Sequence, residues 1–149
     1  TEKIKFEFWF TSEYWNTPPC IDILIDDQLL GSYTVVDNNT YISFFHTLDF
    51  KNHTLKIKRY GKTDSETNSS GDTQVLILDK VKIDDIDLRN FLWHYSSFHP
   101  EYSASYADEN PNLELKTIGE LFFGHNGVWK YSFISPVYRD VVNKVRGHV

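Results

Sequence analysis

The chain has 149 residues, a formal charge of −6, one cysteine and 16% aromatic residues. A single domain of this size buries roughly 68–70% of its unfolded surface, enough for a hydrophobic core without metal or disulfide staples; Cys20 has no partner for an internal bridge. The acidic balance argues against a nucleic-acid partner, which needs a basic surface, and no apolar run approaches the roughly 18 residues of a membrane span, so a membrane is not expected either. The chain opens at Thr1 without a signal peptide, as a processed precursor also would.

From the start of the chain, Ile4, Phe6, Phe8 and Phe10 alternate with Lys3, Lys5, Glu7 and Trp9, the period-two pattern of a half-buried strand. Pro18-Pro19 interrupts it, since adjacent prolines donate nothing to a ladder. Ile21, Ile23 and Ile25 mark a second strand that turns at Asp26-Asp27-Gln28 into residues 29–35, a hairpin without the strong Asn-Gly signal. Asp37-Asn38-Asn39 predicts a turn before a strand over Tyr41 to His46, and Asp49 to Asn52 predicts another before Leu55 and Ile57. Lys56, Lys58 and Arg59 read as the wet face of that strand. Residues 63–73 hold no large apolar side chain and predict an exposed loop.

Val75 to Leu88 completes the strand-rich part, with a bulge or bend between Ile83 and Ile86 where period two breaks. Residues 89–118 are irregular and aromatic-rich. Strand periodicity returns at Val128 to Ile134, and Ser135-Pro136 predicts a helix start with Ser135 as cap. Val137, Val141, Val142 and Val145 would form the inner stripe of that helix. The expectation is one mainly β domain over residues 1–149. It is an antiparallel sandwich or jelly roll with its core in 3–88 and 119–134 and one short C-terminal helix over about 136–146.

Signatures of catalysis are missing: the chain has no phosphate-binding loop, nucleophile elbow or dinucleotide fingerprint. Cys20 begins an apolar strand and reads as a small hydrophobe. Asp84, Asp85 and Asp87 read as a solvated face, although a glycosidase needs only two well-placed carboxylates. The expectation is therefore no enzyme. The 63–73 loop offers hard oxygen ligands, and Asp64, Glu66 and Asp72 are the candidates for a calcium site. Tyr14, Trp15, Trp93, Tyr95 and Tyr102 are the candidates for stacking on sugar rings or packing against a partner. Gly124-His125-Asn126-Gly127 reads as a turn whose glycines supply unusual backbone angles.

The pieces IDILIDD (21–27), HTLKIKRYGK (53–62) and LDKVKIDDIDL (78–88) resemble carbohydrate-binding-module-like β-sandwiches of the xylan-binding type. The flanking SEYWNTPP (12–19) and GHNGVWK (124–130) resemble small virion proteins of tailed, notably marine, bacteriophages. The resemblance implies a jelly-roll-like fold and a non-enzymatic structural or accessory role in a virion, as head decoration, neck, tail or fibre. Its partners would then be other virion proteins and copies of itself. The competing implication is a calcium-assisted carbohydrate-binding module that recognises a cell-surface or environmental glycan. Asp64, Glu66 and Asp72 do not align one by one with the calcium ligands of xylan-type modules.

Overall fold

The computed structural model describes residues 1–71 and 73–147. Eleven strands and three α-helices occur among them: β1 (Glu2–Glu13), β2 (Cys20–Ile25), β3 (Gln28–Thr34), β4 (Thr40–Leu48), β5 (Asn52–Tyr60), β6 (Val75–Ile83), β7 (Ile86–Asp87), α1 (Arg89–Tyr95), β8 (Ser96–Glu101), α2 (Ala104–Glu109), β9 (Thr117–Ile118), β10 (Phe122–Phe123), β11 (Asn126–Ile134) and α3 (Val137–Val145). They form two antiparallel sheets. One runs β10-β6-β1-β4, with β7 paired to β6; the other runs β3-β2-β5-β11-β8-β9.

The alternation read from β1 holds: Ile4, Phe6, Phe8 and Phe10 are buried and face the second sheet's Ile21, Ile23, Leu55, Ile57, Trp129 and Phe133. Ring contacts tie the sheets together, Phe6 to Phe133 at 6.1 Å between centroids and Phe98 to Phe123 stacked at 4.5 Å. The β2–β3 hairpin turns at Asp26 and Asp27, both with positive φ (50° and 65°), a conformation that Asp tolerates better than most residues. Asp26 also ties this turn to β5. Its carboxylate accepts from the Thr54 amide at 2.9 Å and lies 2.5 Å from His53 Nδ1.

Several expectations are sharpened or corrected. Of the bulge or bend expected between Ile83 and Ile86, the bend is found, as a two-residue turn with Asp84 and Asp85 at φ 53° and 64°. The ladder's irregularity lies earlier: Trp9 pairs with Lys80 and Phe10 with Leu78, so Asp79 is the extra residue. Arg59 is not on a wet face. It follows Leu55 and Ile57 inward in the β5 alternation and is fully buried, while Lys56 and Lys58 point out. The segment 89–118 is more regular than expected, since β8 lies inside the six-stranded sheet and α1 and α2 flank it. Only Phe98 and Ser96 of β8 are buried, so the strand carries almost no apolar signal of its own.

The C-terminal helix is present, but its inner face is not the valine stripe. Val137 and Val141 pack inward with Asp140 and Lys144, whereas Val142 and Val145 are 40% and 71% exposed. The i, i+3, i+4, i+7 row that faces β11 runs through those two charged residues. Lys144 Nζ donates to Asp140 Oδ2 (2.8 Å), to the Tyr131 hydroxyl (2.8 Å) and to the Ser132 carbonyl (2.7 Å), so the buried ammonium is fully paired. Nor does Ser135 cap the helix. Pro136 holds the cap position, and Glu2 from the other end of the chain accepts from the Val137 amide at 2.9 Å and from the Ser135 hydroxyl.

Removing one member of a buried ion pair strands the other without solvent. Lys144→Ala is predicted to lower the unfolding free energy by about 3–5 kcal/mol in urea titration. The double variant Asp140→Leu/Lys144→Met, which removes both charges at similar volume, is predicted to lose much less. Equal losses in the two would contradict the pairing argument.

Candidate functional site

Antiparallel pairing puts the end of β5, the start of β11 and the end of β8 at one edge of the six-stranded sheet. The connections that leave this edge enclose a cleft of about 370 Å³. Lys62, Thr63, Asp64 and Thr67 come from the segment after β5, His125 and Asn126 from the entry to β11, and Glu101, Tyr102, Ser103, Ser105, Tyr106 and Glu109 from the end of β8 through α2.

Three rings form a cluster in the cleft wall. Tyr102 and Tyr106 stack with centroids 5.7 Å apart and planes 16° from parallel, and His125 meets Tyr102 at 4.8 Å and Tyr106 at 4.6 Å. Ser103 caps α2 by accepting from the Tyr106 amide, and the Tyr102 hydroxyl donates to the Glu114 carbonyl at 2.7 Å. Burial lowers the pKa of His125, and the charges of Lys62 and Arg59 push it the same way, so the imidazole is neutral at pH 7.

Beneath the cleft lies a polar network. Arg59 Nη1 donates to Asn126 Oδ1 (2.9 Å) and Nη2 to the Gln74 carbonyl (2.8 Å). Asn126 Oδ1 also accepts from the Lys62 amide, and its Nδ2 returns a bond to the Lys62 carbonyl. Burial lowers the Arg59 pKa to about 10 against the opposing pull of Cys20 and Glu66, which leaves the guanidinium charged at neutral pH. Gly127 lets β8 come close: a Cβ there would lie 2.4 Å from the His99 carbonyl oxygen and 2.8 Å from the Phe98 ring. This glycine supplies space as well as the expected unusual angle, with φ at 159°. Gly124 is not among the positive-φ glycines.

The expected site residues fall in different places. Tyr102 lines the cleft described above. Tyr14 and Trp15, 38% and 48% exposed, line a second, shallower cleft of about 320 Å³ with Glu13, Gly71, Thr73 and Val75. Trp93 is exposed on α1, apart from both clefts, and Tyr95 is half-buried with its hydroxyl 3.4 Å from the Lys144 carbonyl oxygen.

Of the calcium candidates, Asp64 accepts from the Ser105 hydroxyl at the cleft rim. Glu66 is turned inward and its carboxylate takes four bonds: from the Thr17 hydroxyl (2.6 Å) and amide (2.9 Å), Asn16 Nδ2 (2.8 Å) and Gln74 Nε2 (3.2 Å). Asp72 lies outside the described residues. Among the described residues no three His, Cys, Asp or Glu side chains gather as ligands for one cation. Glu66 instead secures the loop: its carbonyl accepts from Trp15 Nε1 at 2.6 Å, which links the wall of the second cleft to the 63–73 segment.

Tyr106, His125 and Asn126 were legible as residue types but not as a site. Tyr106 stood in an aromatic-rich stretch, and His125 and Asn126 read as a turn. Only the β5–β11–β8 order brings them to Lys62 and Asp64.

No protein-family model matches the chain, and no curated protein does. Solved structures do. The carbohydrate-binding module vCBM60 in complex with galactobiose superposes with a TM-score of 0.55 at 7% identity, over 85% of this chain and 96% of that one. The selenomethionine form of vCBM60, described with two circularly permuted families of calcium-dependent carbohydrate-binding modules, gives 0.54 at 6% identity, over 86% and 89%. The chain therefore has the two-sheet fold of a carbohydrate-binding module.

The Glu66 carboxyl is held below its ordinary value of 4.5, first by the Thr17 hydroxyl, against the opposing effect of burial, and then by the Thr17 amide, Asn16 and Gln74. A depressed carboxylate contributes stability that is complete above pH 4.5 and lost as pH falls through the folded-state value. Glu66→Gln is predicted to lower the melting temperature at pH 7, with the gap to the unaltered protein closing as pH drops below 4.5. A pH-independent gap would show that the carboxylate charge is not what holds the loop.

Proposed function

We propose that this protein binds carbohydrate, without catalysing a reaction, through the cleft built by Tyr102, Tyr106 and His125. The observation that carries the reading is the stacked tyrosine pair inside a cleft also lined by Ser103, Ser105, Asn126 and three carboxylates. Ring faces give apolar contact to the C–H surface of a sugar, and the surrounding donors and acceptors fix its hydroxyls. The fold supports the same reading, since the superposing vCBM60 structure holds galactobiose.

No step of this reading runs through calcium. Glu66 is committed within the protein, its Oε1 accepting from the Thr17 amide and hydroxyl and from Gln74 and its Oε2 from Asn16. The expectation of a place in a phage particle rests on the flanking segments 12–19 and 124–130, the aromatic excess and the missing catalytic signatures; neither the fold nor its neighbours add to it.

Isothermal titration against a panel of neutral oligosaccharides tests the proposal. Tyr106→Ala is predicted to weaken binding by about tenfold, the scale of one aromatic contact, while leaving the melting temperature within the range of surface substitutions. Binding is expected to persist in chelator and to stay level between pH 8 and pH 7, because burial and the Lys62 and Arg59 charges hold the His125 pKa below its ordinary 6.5. Tight binding that Tyr106→Ala leaves untouched would move the site elsewhere.

A further inference from the structure

The cleft's charge pattern narrows which sugar it takes, an inference that rests on the carbohydrate-binding reading. Three carboxylates line it, those of Asp64, Glu101 and Glu109, and all three residues are exposed. None of them lies within ion-pair distance of a cation among the described residues. One cation, Lys62, also lines the cleft, its Nζ tied to the Gly124 carbonyl at 2.6 Å, and the Arg59 guanidinium is buried beneath Asn126 and Gln74, so carboxylates outnumber cations in the lining by three to one. Below them, Glu66 adds a further buried carboxylate.

The second observation is independent of charge count. The cleft wall is the Tyr102–Tyr106 pair, and an aromatic face attracts an ammonium group through its quadrupole. The same chain uses that contact internally, with Lys144 Nζ 4.0 Å from the Tyr131 ring centroid and Lys80 Nζ 5.1 Å from that of Trp9. In the cleft, by contrast, no Lys or Arg side chain of the described residues sits over either tyrosine. Uronate or sulfated sugars would meet the three carboxylates with their own negative charge. Neutral sugars could use them only as acceptors for hydroxyls, with no charge of their own to match.

We propose that the cleft selects amino sugars with free, protonated amines, the sugar ring lying against Tyr102 and Tyr106 while its ammonium faces Asp64, Glu101 and Glu109. A cation over an aromatic face, with screened carboxylates around it, favours the amine form over its acetylated form by about tenfold.

The test is isothermal titration of the full chain in mildly acidic buffer with a glucosamine trisaccharide, its fully N-acetylated counterpart and a neutral hexose trisaccharide. The amine form is expected to bind about tenfold tighter than the other two, with the advantage shrinking as salt rises. Glu101→Gln/Glu109→Gln, which keeps polar side chains at both positions but removes their charges, is expected to erase most of that preference, so that the ratio of amine-form to neutral-sugar affinity falls from about ten towards one. Because the whole chain is acidic, Asp84→Asn/Asp85→Asn serves as the charge-matched control. It removes two charges from the exposed β6–β7 turn, where Asn also tolerates positive φ, and is expected to keep the preference.

Equal binding of all three sugars would overturn the selectivity and leave the carbohydrate-binding reading standing. So would a preference that survives Glu101→Gln/Glu109→Gln, or one that the control also abolishes. Failure of every sugar, neutral ones included, would bring down the carbohydrate-binding reading itself.

Discussion

The guanidinium of Arg59 has no access to solvent, and the cleft end of the sandwich is arranged around it. It extends the inner face of β5 one alternation past Ile57, where the hydrophobic core gives way to loops. From there it reaches Asn126 at the start of β11 and the backbone just ahead of β6. Asn126 in turn fixes both backbone groups of Lys62, and Gln74 reaches Glu66 and Thr17. A buried charge needs hydrogen bonds in place of water; Nη1 and Nη2 find acceptors while Nε is without one, and supplying those acceptors requires these chain segments to converge. The cleft is the outer surface of that convergence.

The opposite end of the β11 strand solves a similar problem differently. Lys144 is buried under α3, and Asp140, the Tyr131 hydroxyl and the Ser132 carbonyl take up its three protons. Glu2 closes the same corner by capping α3 from the first strand. Polar groups thus orient the helix on the sheet where valines alone would allow it to rotate, since apolar contact is non-directional and hydrogen bonds are not.

Within the cleft, rigid parts carry flexible chemistry. The tyrosine pair is set by the capped α2 and by the Tyr102–Glu114 bond, while the carboxylates stand at exposed positions, Asp64 accepting from the Ser105 hydroxyl. On the proposed carbohydrate-binding reading, ring contacts would define where a sugar lies and charge would decide which substituent it bears.

The sandwich was legible in the sequence because strand periodicity is a local signal: the Phe and Ile alternations of β1 and β2 name their own buried face without reference to a partner. The Asp-Asp turn of the β2–β3 hairpin was legible for the same reason. What the tertiary structure alone decided concerns charged and weakly patterned residues. Arg59 and Lys144 look like surface residues until their partners, 67 and 13 positions away or nearer, are in place. Strand β8 shows little apolar pattern because its neighbours β11 and β9 supply the pairing. The cleft joins residues from 62 to 126, and only the β5–β11–β8 order brings them to one edge. Hydrophobic alternation is written residue by residue along the chain. The satisfaction of a buried charge depends on groups that only folding brings within reach.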